Sequence, residues 1–305
     1  MGACLSPLTH TPVLVSHLLC RVLAGGTAVL LERFDLPAVL EAVERFAISD
    51  VSLIGGMVFD VIGMGSVPEA VRAPVRKVTV GGAPTRMEAK RALAAMFAGA
   101  EVIEAYGQTE STDGVTMARG TSVFDREGTV GCPNPYVEVR IRRPDGALAA
   151  PGEAGEIVVG GPTVMAGYHR DPRATAPAIR GGWLHTGDLG RQDADGYLFL
   201  TGRVKELIIT GGENVAPGEV EEVLRTHPEV ADVAVIGTPH AKWGEQVTAV
   251  VVRKPGSAVD GAALGAFVGT RLAGFKRPRR FEFLAALPRN AANKVQTSIL
   301  KEQFR

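Results

Sequence analysis

Apolar and polar positions change texture twice along the chain. From Met1 to about Ala105, short apolar runs alternate with segments of helical period, the pattern of an open α/β layer. The pattern predicts strands over 26–31 and 75–80 and helices over 36–46 and 87–97. A short strand over 101–105 runs into Tyr106-Gly107-Gln108-Thr109-Glu110. The apolar run from Pro12 to Leu19 reads as a core segment. From about Gly114 to Thr201, Val137, Val139 and Ile141 alternate with Glu138 and Arg140, the period of a half-buried strand. Residues 156–159 and 197–200 behave alike, with no helix-length period between them, which predicts a small β-barrel or sandwich.

Beyond Gly202-Arg203 the order becomes β-α-β-β-α-β. A strand over 206–209 precedes a helix opened by Pro217, whose Val220, Val223 and Leu224 share one face. Strands over 230–236, 246–252 and 280–283 and a helix over 261–272 complete it. The predicted class is α/β plus α+β. One domain spans 1–203, with an α/β layer over 1–113 and a β-barrel-like part over 114–203, and a small α+β domain spans 204–305.

The chain has 305 residues, 46% of them apolar and 22% charged, enough to bury a core and too apolar for intrinsic disorder. Lys plus Arg and Asp plus Glu each total 33, so no net field draws nucleic acid or an anionic membrane. Three cysteines, Cys4, Cys20 and Cys132, fit neither a metal nor a disulfide framework, which points to a reducing, cytoplasmic setting. No stretch reaches the roughly 18 apolar residues of a membrane span.

Five segments combine glycine with polar residues in ways a packed core does not require. Tyr106-Gly107-Gln108-Thr109-Glu110 ends a strand, where open sheets place ligands. Its aromatic, hydroxyl and carboxylate suit a base and a metal near phosphate, though a strand-end turn with a structural tyrosine fits as well. In Gly182-Trp183-Leu184-His185-Thr186-Gly187-Asp188-Leu189, the two carboxylate oxygens of Asp188 suit two ribose hydroxyls, or the Asp simply serves a β-turn. Gly202-Arg203-Val204-Lys205-Glu206 sits at the domain junction. Thr210-Gly211-Gly212-Glu213-Asn214-Val215-Ala216-Pro217 admits a ligand close to the backbone or makes a tight connection. Leu287-Pro288-Arg289-Asn290-Ala291-Ala292-Asn293-Lys294-Val295 is a polar loop ending in lysine.

In this order the five segments closely resemble the adenylate-forming superfamily of acyl- and aryl-CoA synthetases, peptide-synthetase adenylation domains and firefly-type luciferases. Gly155-Glu156-Ile157 and Gly161-Pro162-Thr163-Val164-Met165-Ala166-Gly167-Tyr168 add to a likeness that runs from Pro7 to Glu302. The tail from Phe275-Lys276-Arg277-Pro278-Arg279-Arg280 to Val295 looks most like benzoate- and chlorobenzoate-CoA ligases. The resemblance implies an AMP-forming acid–CoA ligase using a small carboxylic acid, ATP, Mg2+ and coenzyme A, with no nucleic acid and no membrane span. It places Tyr106 and Gly107 against adenine, and Asp188 on the ribose with Arg203 beside it. Thr109 would meet the α-phosphate, Glu110 would hold magnesium, and Lys294 would bridge carboxylate and phosphate during adenylation. An ordinary lysine is a cation at neutral pH and stabilises charge growing on phosphorus.

The same resemblance lines the acyl pocket with His10, Gly81, Gly82 and Ala83, followed by Pro84. It makes Lys205 the hinge of a mobile C-terminal domain and brings Gly211 and Gly212 to the pantetheine channel. Trp243, Phe275, Arg277 and Arg279 would meet CoA, although a merely basic, partly apolar rim accounts for them equally well.

The chain departs from the pattern in two places. The family's Ser/Thr-rich phosphate loop should lie shortly before His10, and only nine residues precede that histidine. The sequence therefore resembles the C-terminal part of a synthetase, and the expectation is a truncated chain inactive alone, with an upstream half missing. Asn293 also replaces the usual glycine before the lysine. Two other readings stand beside the ligase: a non-catalytic or partner-dependent remnant that binds nucleotide or CoA, and an adenylation domain that loads a carrier protein. Position 10 and the tail favour a compact aromatic or short branched acid.

Overall fold

The strand Gly2–Cys4 lies parallel between Ala28–Leu30 and Asp50–Ile54, and parallel pairing continues through Lys77–Gly81 to Glu101–Gln108. This is a computed structural model, which describes residues 1–5, 8–82, 85–289 and 295–305. Ala83, Pro84, Asn293 and Lys294, all named above, lie outside the described residues. The chain forms two compact units, residues 1–186 with 191–199, and residues 187–190 with 200–305.

In the first unit the crossover helices follow from local chemistry. Asp35 caps Leu36–Phe46 by accepting from the Ala38 N–H at 3.1 Å, and Ala47 stops that helix in the left-handed region at φ 48°. Its buried Val39, Ala42 and Val43 join Val51, Leu53, Val78 and Val80 of the strands and Leu93 of Met87–Met96 in one core. Within Asp50–Ile54 the consecutive Val51, Ser52 and Leu53 are all buried, so both faces of that strand are covered, whereas in Lys77–Gly81 buried Val78 and Val80 alternate with exposed Lys77 and half-buried Thr79.

At Glu101–Gln108 the sheet turns antiparallel. It continues through Asp113–Ala118, Thr129–Pro133, Leu198–Arg203, Trp183–Gln192 and Ala154–Gly160 to Glu138–Arg142, and Ile179–Arg180 joins Trp183–Gln192. The strands of the barrel-like part after residue 113 join the first sheet through Asp113–Ala118, which takes the free edge of Glu101–Gln108, and no closed barrel forms among the described residues. Short helices Ser122–Asp125 and Pro172–Ala178 also interrupt this region, too brief to give a helical period. Pro12–Leu19 departs from the expected core segment. It is a π-helix with only Val13 buried, while Leu14 and Leu19 are exposed, because its apolar residues lie all round the axis and one face at most is covered.

The second unit has a five-stranded sheet, Glu213–Val215, Ile208–Thr210, Gly244–Arg253 and Val230–His240 in order, with Arg280–Phe283 parallel to Gly244–Arg253. Helices Pro217–Arg225 and Gly261–Gly269 bury Val220, Leu224, Leu264 and Val268 against it. Asp260 caps the second of these through the Ala263 N–H at 2.9 Å. No helix among the described residues is long and apolar enough to cross a membrane.

Candidate functional site

Tyr106 and Gly107 lie within the strand Glu101–Gln108, which outruns its expected end at residue 105 because Asp113–Ala118 pairs with it. The register shifts between Tyr106 and Gly107, and Tyr106 is buried. A Cβ on Gly107 would fall 1.3 Å from the Asp113 carbonyl oxygen, so only hydrogen fits there. A 3-10 turn, Thr109–Ser111, follows, and Thr112 and Asp113 then take left-handed backbones at φ 55° and 79°. The Thr109 hydroxyl accepts from Thr11 Oγ1 at 3.0 Å, and Ser16 donates to the Asp113 carboxylate.

Glu110 Oε1 accepts from the Tyr168 hydroxyl at 2.9 Å. Burial, with the Glu110 carboxylate adding to it, holds the Tyr168 phenol above its ordinary pKa, so it remains a donor. No group of three His, Cys, Asp or Glu among the described residues forms a metal cage. A lone carboxylate suits Mg2+, which keeps its waters and takes one or two carboxylates together with substrate phosphates.

Gly81 closes its strand so near Glu101–Gln108 that a Cβ would stand 2.8 Å from the Ala105 carbonyl oxygen, and Gly82 has φ 73°. Behind them Lys90 Nζ meets Glu104 Oε2 at 2.7 Å, with both side chains at most 3% exposed. Burial pushes the Glu104 carboxyl up to about 7, against the opposing pull of Lys90 and the Thr85 backbone N–H. His10 is exposed, and its carbonyl accepts the first N–H groups of the helix Pro12–Leu19. Ala83 lies outside the described residues.

In the second unit, Asp188 is almost buried, and Arg203 Nε lies 3.0 Å from its Oδ1. Lys205 sits in the 3-10 turn Val204–Glu206. Gly211 and Gly212 form the tight turn between Ile208–Thr210 and Glu213–Val215, with φ 60° and 88°. The Gly211 N–H donates to the Trp243 carbonyl at 2.9 Å, and Trp243 Cδ1 would touch a Cβ there at 3.4 Å. The Trp243 indole stacks on His240 at 4.1 Å and carries the Arg279 guanidinium at 3.9 Å. Gly211, Trp243 and Arg279 are thus brought together. Phe275, in the 3-10 turn Gly274–Lys276, is exposed, and Arg277 Nε donates to the Leu272 carbonyl at 2.9 Å. Lys294 lies outside the described residues.

Sequence reasoning gave no role to Thr11, Tyr168 or His240. The signal for Tyr168 was present in Ala166-Gly167-Tyr168, but its reach to Glu110 spans 58 positions, and no spacing rule encodes that contact.

Comparison with known proteins accounts for the arrangement. The AMP-binding enzyme profile matches residues 2–169, and the AMP-binding enzyme C-terminal domain profile matches residues 219–294. A feruloyl-CoA synthase from an Amycolatopsis species is 39% identical over 98% of this chain and 60% of its own length. An indoleacetate–CoA ligase from Aromatoleum aromaticum is 35% identical over 97% of this chain and 58% of its own. The o-succinylbenzoate CoA synthetase from Bacillus subtilis, solved with the acyl-adenylate OSB-AMP, superimposes with a TM-score of 0.81 at 34% identity, over 98% of this chain and 60% of that one. ATP-bound MatB from Rhodopseudomonas palustris gives a TM-score of 0.84 at 35% identity, over 99% and 59%. The chain spans 48% to 60% of the length of the curated relatives it matches. With both profiles matched and the fold shared over nearly its whole length, the chain belongs to the AMP-binding enzymes of the adenylate-forming superfamily.

Proposed function

We propose that the chain carries the adenylate- and CoA-handling part of an AMP-forming acid–CoA ligase. The observation that carries this reading is the shared fold with a synthetase solved around an acyl-adenylate, over 98% of this chain. The reaction has two halves. A carboxylate oxygen attacks the α-phosphorus of ATP and pyrophosphate leaves; the CoA thiolate then attacks the acyl carbon and AMP leaves.

Tyr106 packs the adenine beside the bare backbone of Gly107, and Asp188 accepts from the ribose hydroxyls while Arg203 holds its other side. The Thr109 hydroxyl donates to an α-phosphate oxygen and, with Lys294, stabilises the charge that grows there. Glu110 would hold Mg2+, which when bound neutralises phosphate charge. His10, Gly81, Gly82 and Ala83 line the acyl side, where the relatives' aryl acids and the tail of this chain favour a compact aromatic acid. Lys205 serves as the hinge between the two half-reactions. Gly211 and Gly212 leave room for pantetheine, and Trp243, Phe275, Arg277 and Arg279 meet the CoA nucleotide. Their cationic and aromatic character favours free CoA over a carrier protein. A cytoplasmic location belongs to the same reading, supported by three cysteines that are free in the structure.

Calorimetric titration of the 305-residue chain with a non-hydrolysable benzoyl-adenylate mimic tests the proposal. Saturable binding that Asp188→Ala abolishes is expected. Equal binding by the wild type and Asp188→Ala, or none by either, would overturn it.

A further inference from the structure

Three hydrogen bonds fasten the segment 163–168 to the turn after Thr109. The Met165 N–H donates to the Glu110 carbonyl at 2.9 Å, Thr112 Oγ1 donates to the Thr163 carbonyl at 2.6 Å, and the Tyr168 hydroxyl donates to Glu110 Oε1 at 2.9 Å. The first two hold backbone. The third reaches the one carboxylate in the turn.

Tyr168 is anchored independently of Glu110. Its N–H donates to Thr175 Oγ1 at 2.9 Å, and the same hydroxyl donates to the Asp171 carbonyl at 2.7 Å, at the start of the helix Pro172–Ala178. Asp171 in turn caps that helix through the Ala174 N–H at 2.9 Å. Gly167, at φ 148°, lets the chain press against the helix, since a Cβ there would fall 2.8 Å from Thr175 Cγ2. The phenol therefore sits on a fixed mount and meets Glu110 from outside its own turn.

A glutamate on a partly exposed turn has three side-chain torsions to order, and an unheld carboxylate meets that entropy at the moment of binding. The bond to Oε1 removes most of this freedom beforehand. Among the described residues Oε2 takes no hydrogen bond, so its lone pairs remain open to a ligand.

Resting on the adenylate-forming reading above, we infer that Tyr168 is a positioning residue that holds the Glu110 carboxylate so that Oε2 is presented to the divalent cation accompanying the ATP phosphates. The role is that of the outer partners of metal ligands, which orient a ligand without touching the metal.

The test is a titration of Mn2+ into the full 305-residue chain with ATP present, read by water-proton relaxation, for wild type, Tyr168→Phe, Glu110→Gln and the double variant. AMP affinity without metal is measured alongside. Tyr168→Phe should weaken Mn2+ binding about tenfold, the low end for groups that orient a metal ligand. It should leave metal-free AMP affinity unchanged and add nothing in the Glu110→Gln background. Wild-type Mn2+ affinity in Tyr168→Phe, or the same loss with and without Glu110, overturns the positioning role while leaving the nucleotide reading standing. A wild-type chain that binds neither AMP nor the acyl-adenylate mimic overturns that reading, and this inference with it.

Discussion

Arg203 Nε stands 3.0 Å from Asp188 Oδ1, on neighbouring strands of one sheet, with the carboxylate almost buried and the guanidinium largely exposed. An ion pair open to water on one side contributes little to stability. Its effect is to orient: one carboxylate oxygen faces the cation and the group cannot swing. Hydrogen bonds to an ionised acceptor contribute about 1.5–3 kcal/mol each. Asp188→Asn, which keeps the shape and removes the charge, should therefore weaken AMP binding at least about tenfold. It should also lose discrimination against 2′-deoxy-AMP. Calorimetry with both nucleotides checks this, and unchanged AMP affinity would remove Asp188 from the ribose.

Gly107 supplies a second prediction. A methyl group there would overlap the Asp113 carbonyl oxygen, and this neighbour is backbone that cannot rotate away. Gly107→Ala should cost about 1–3 kcal/mol in denaturant unfolding. Nucleotide affinity should fall with it, because Tyr106 and Thr109 flank the bulge. Gly274→Ala, where a Cβ would meet nothing within 4 Å, is the control and should change neither quantity.

The contrast between Gly107 and Pro12–Leu19 shows what was legible in the sequence. Strands and helices of strong period appear where the pattern places them; the helix Leu36–Phe46 and the strand Arg280–Phe283 match it residue for residue. Pro12–Leu19 was misread as core because apolar content alone does not say which side of a helix is covered. Alternation reports a half-buried strand and not its neighbour, so the pairing of Asp113–Ala118 back onto the parallel sheet is not written in the period of its residues. Tyr106, Asp188 and Arg203 stand out in the sequence because each lies in a short glycine-flanked motif. Tyr168 stands in such a motif too, but its partner lies in another, so the sequence alone assigns it no contact.

Lys90 and Glu104 form a pair that the same pattern hides, since a charge in a helical period reads as solvated surface. Removing one member of a buried pair strands the other. Lys90→Met should cost about 3–5 kcal/mol. The double change Lys90→Met with Glu104→Leu should recover most of that loss, because an apolar pair of similar volume needs no charge compensation. Urea unfolding of the four proteins checks it; additive losses would mean that the two side chains do not act as a pair.

The same pair sets the sign of a pH dependence. Glu104 ionises near its ordinary 4.5 in the unfolded chain and near about 7 in the folded one, because burial disfavours the carboxylate more than Lys90 and the Thr85 amide favour it. Between those values the folded state holds a proton that the unfolded state has released, so the unfolding free energy falls as pH rises. The favourable contribution is complete below about pH 4.5, declines through the window and is lost above about pH 7, where both states are ionised. Glu104→Gln carries no such proton. The stability of wild type minus that of Glu104→Gln should therefore decrease from pH 4.5 to 7 and level off beyond, in urea unfolding across that range. A difference that instead grows with pH would show that the attraction of Lys90 outweighs burial and keeps the buried carboxylate ionised.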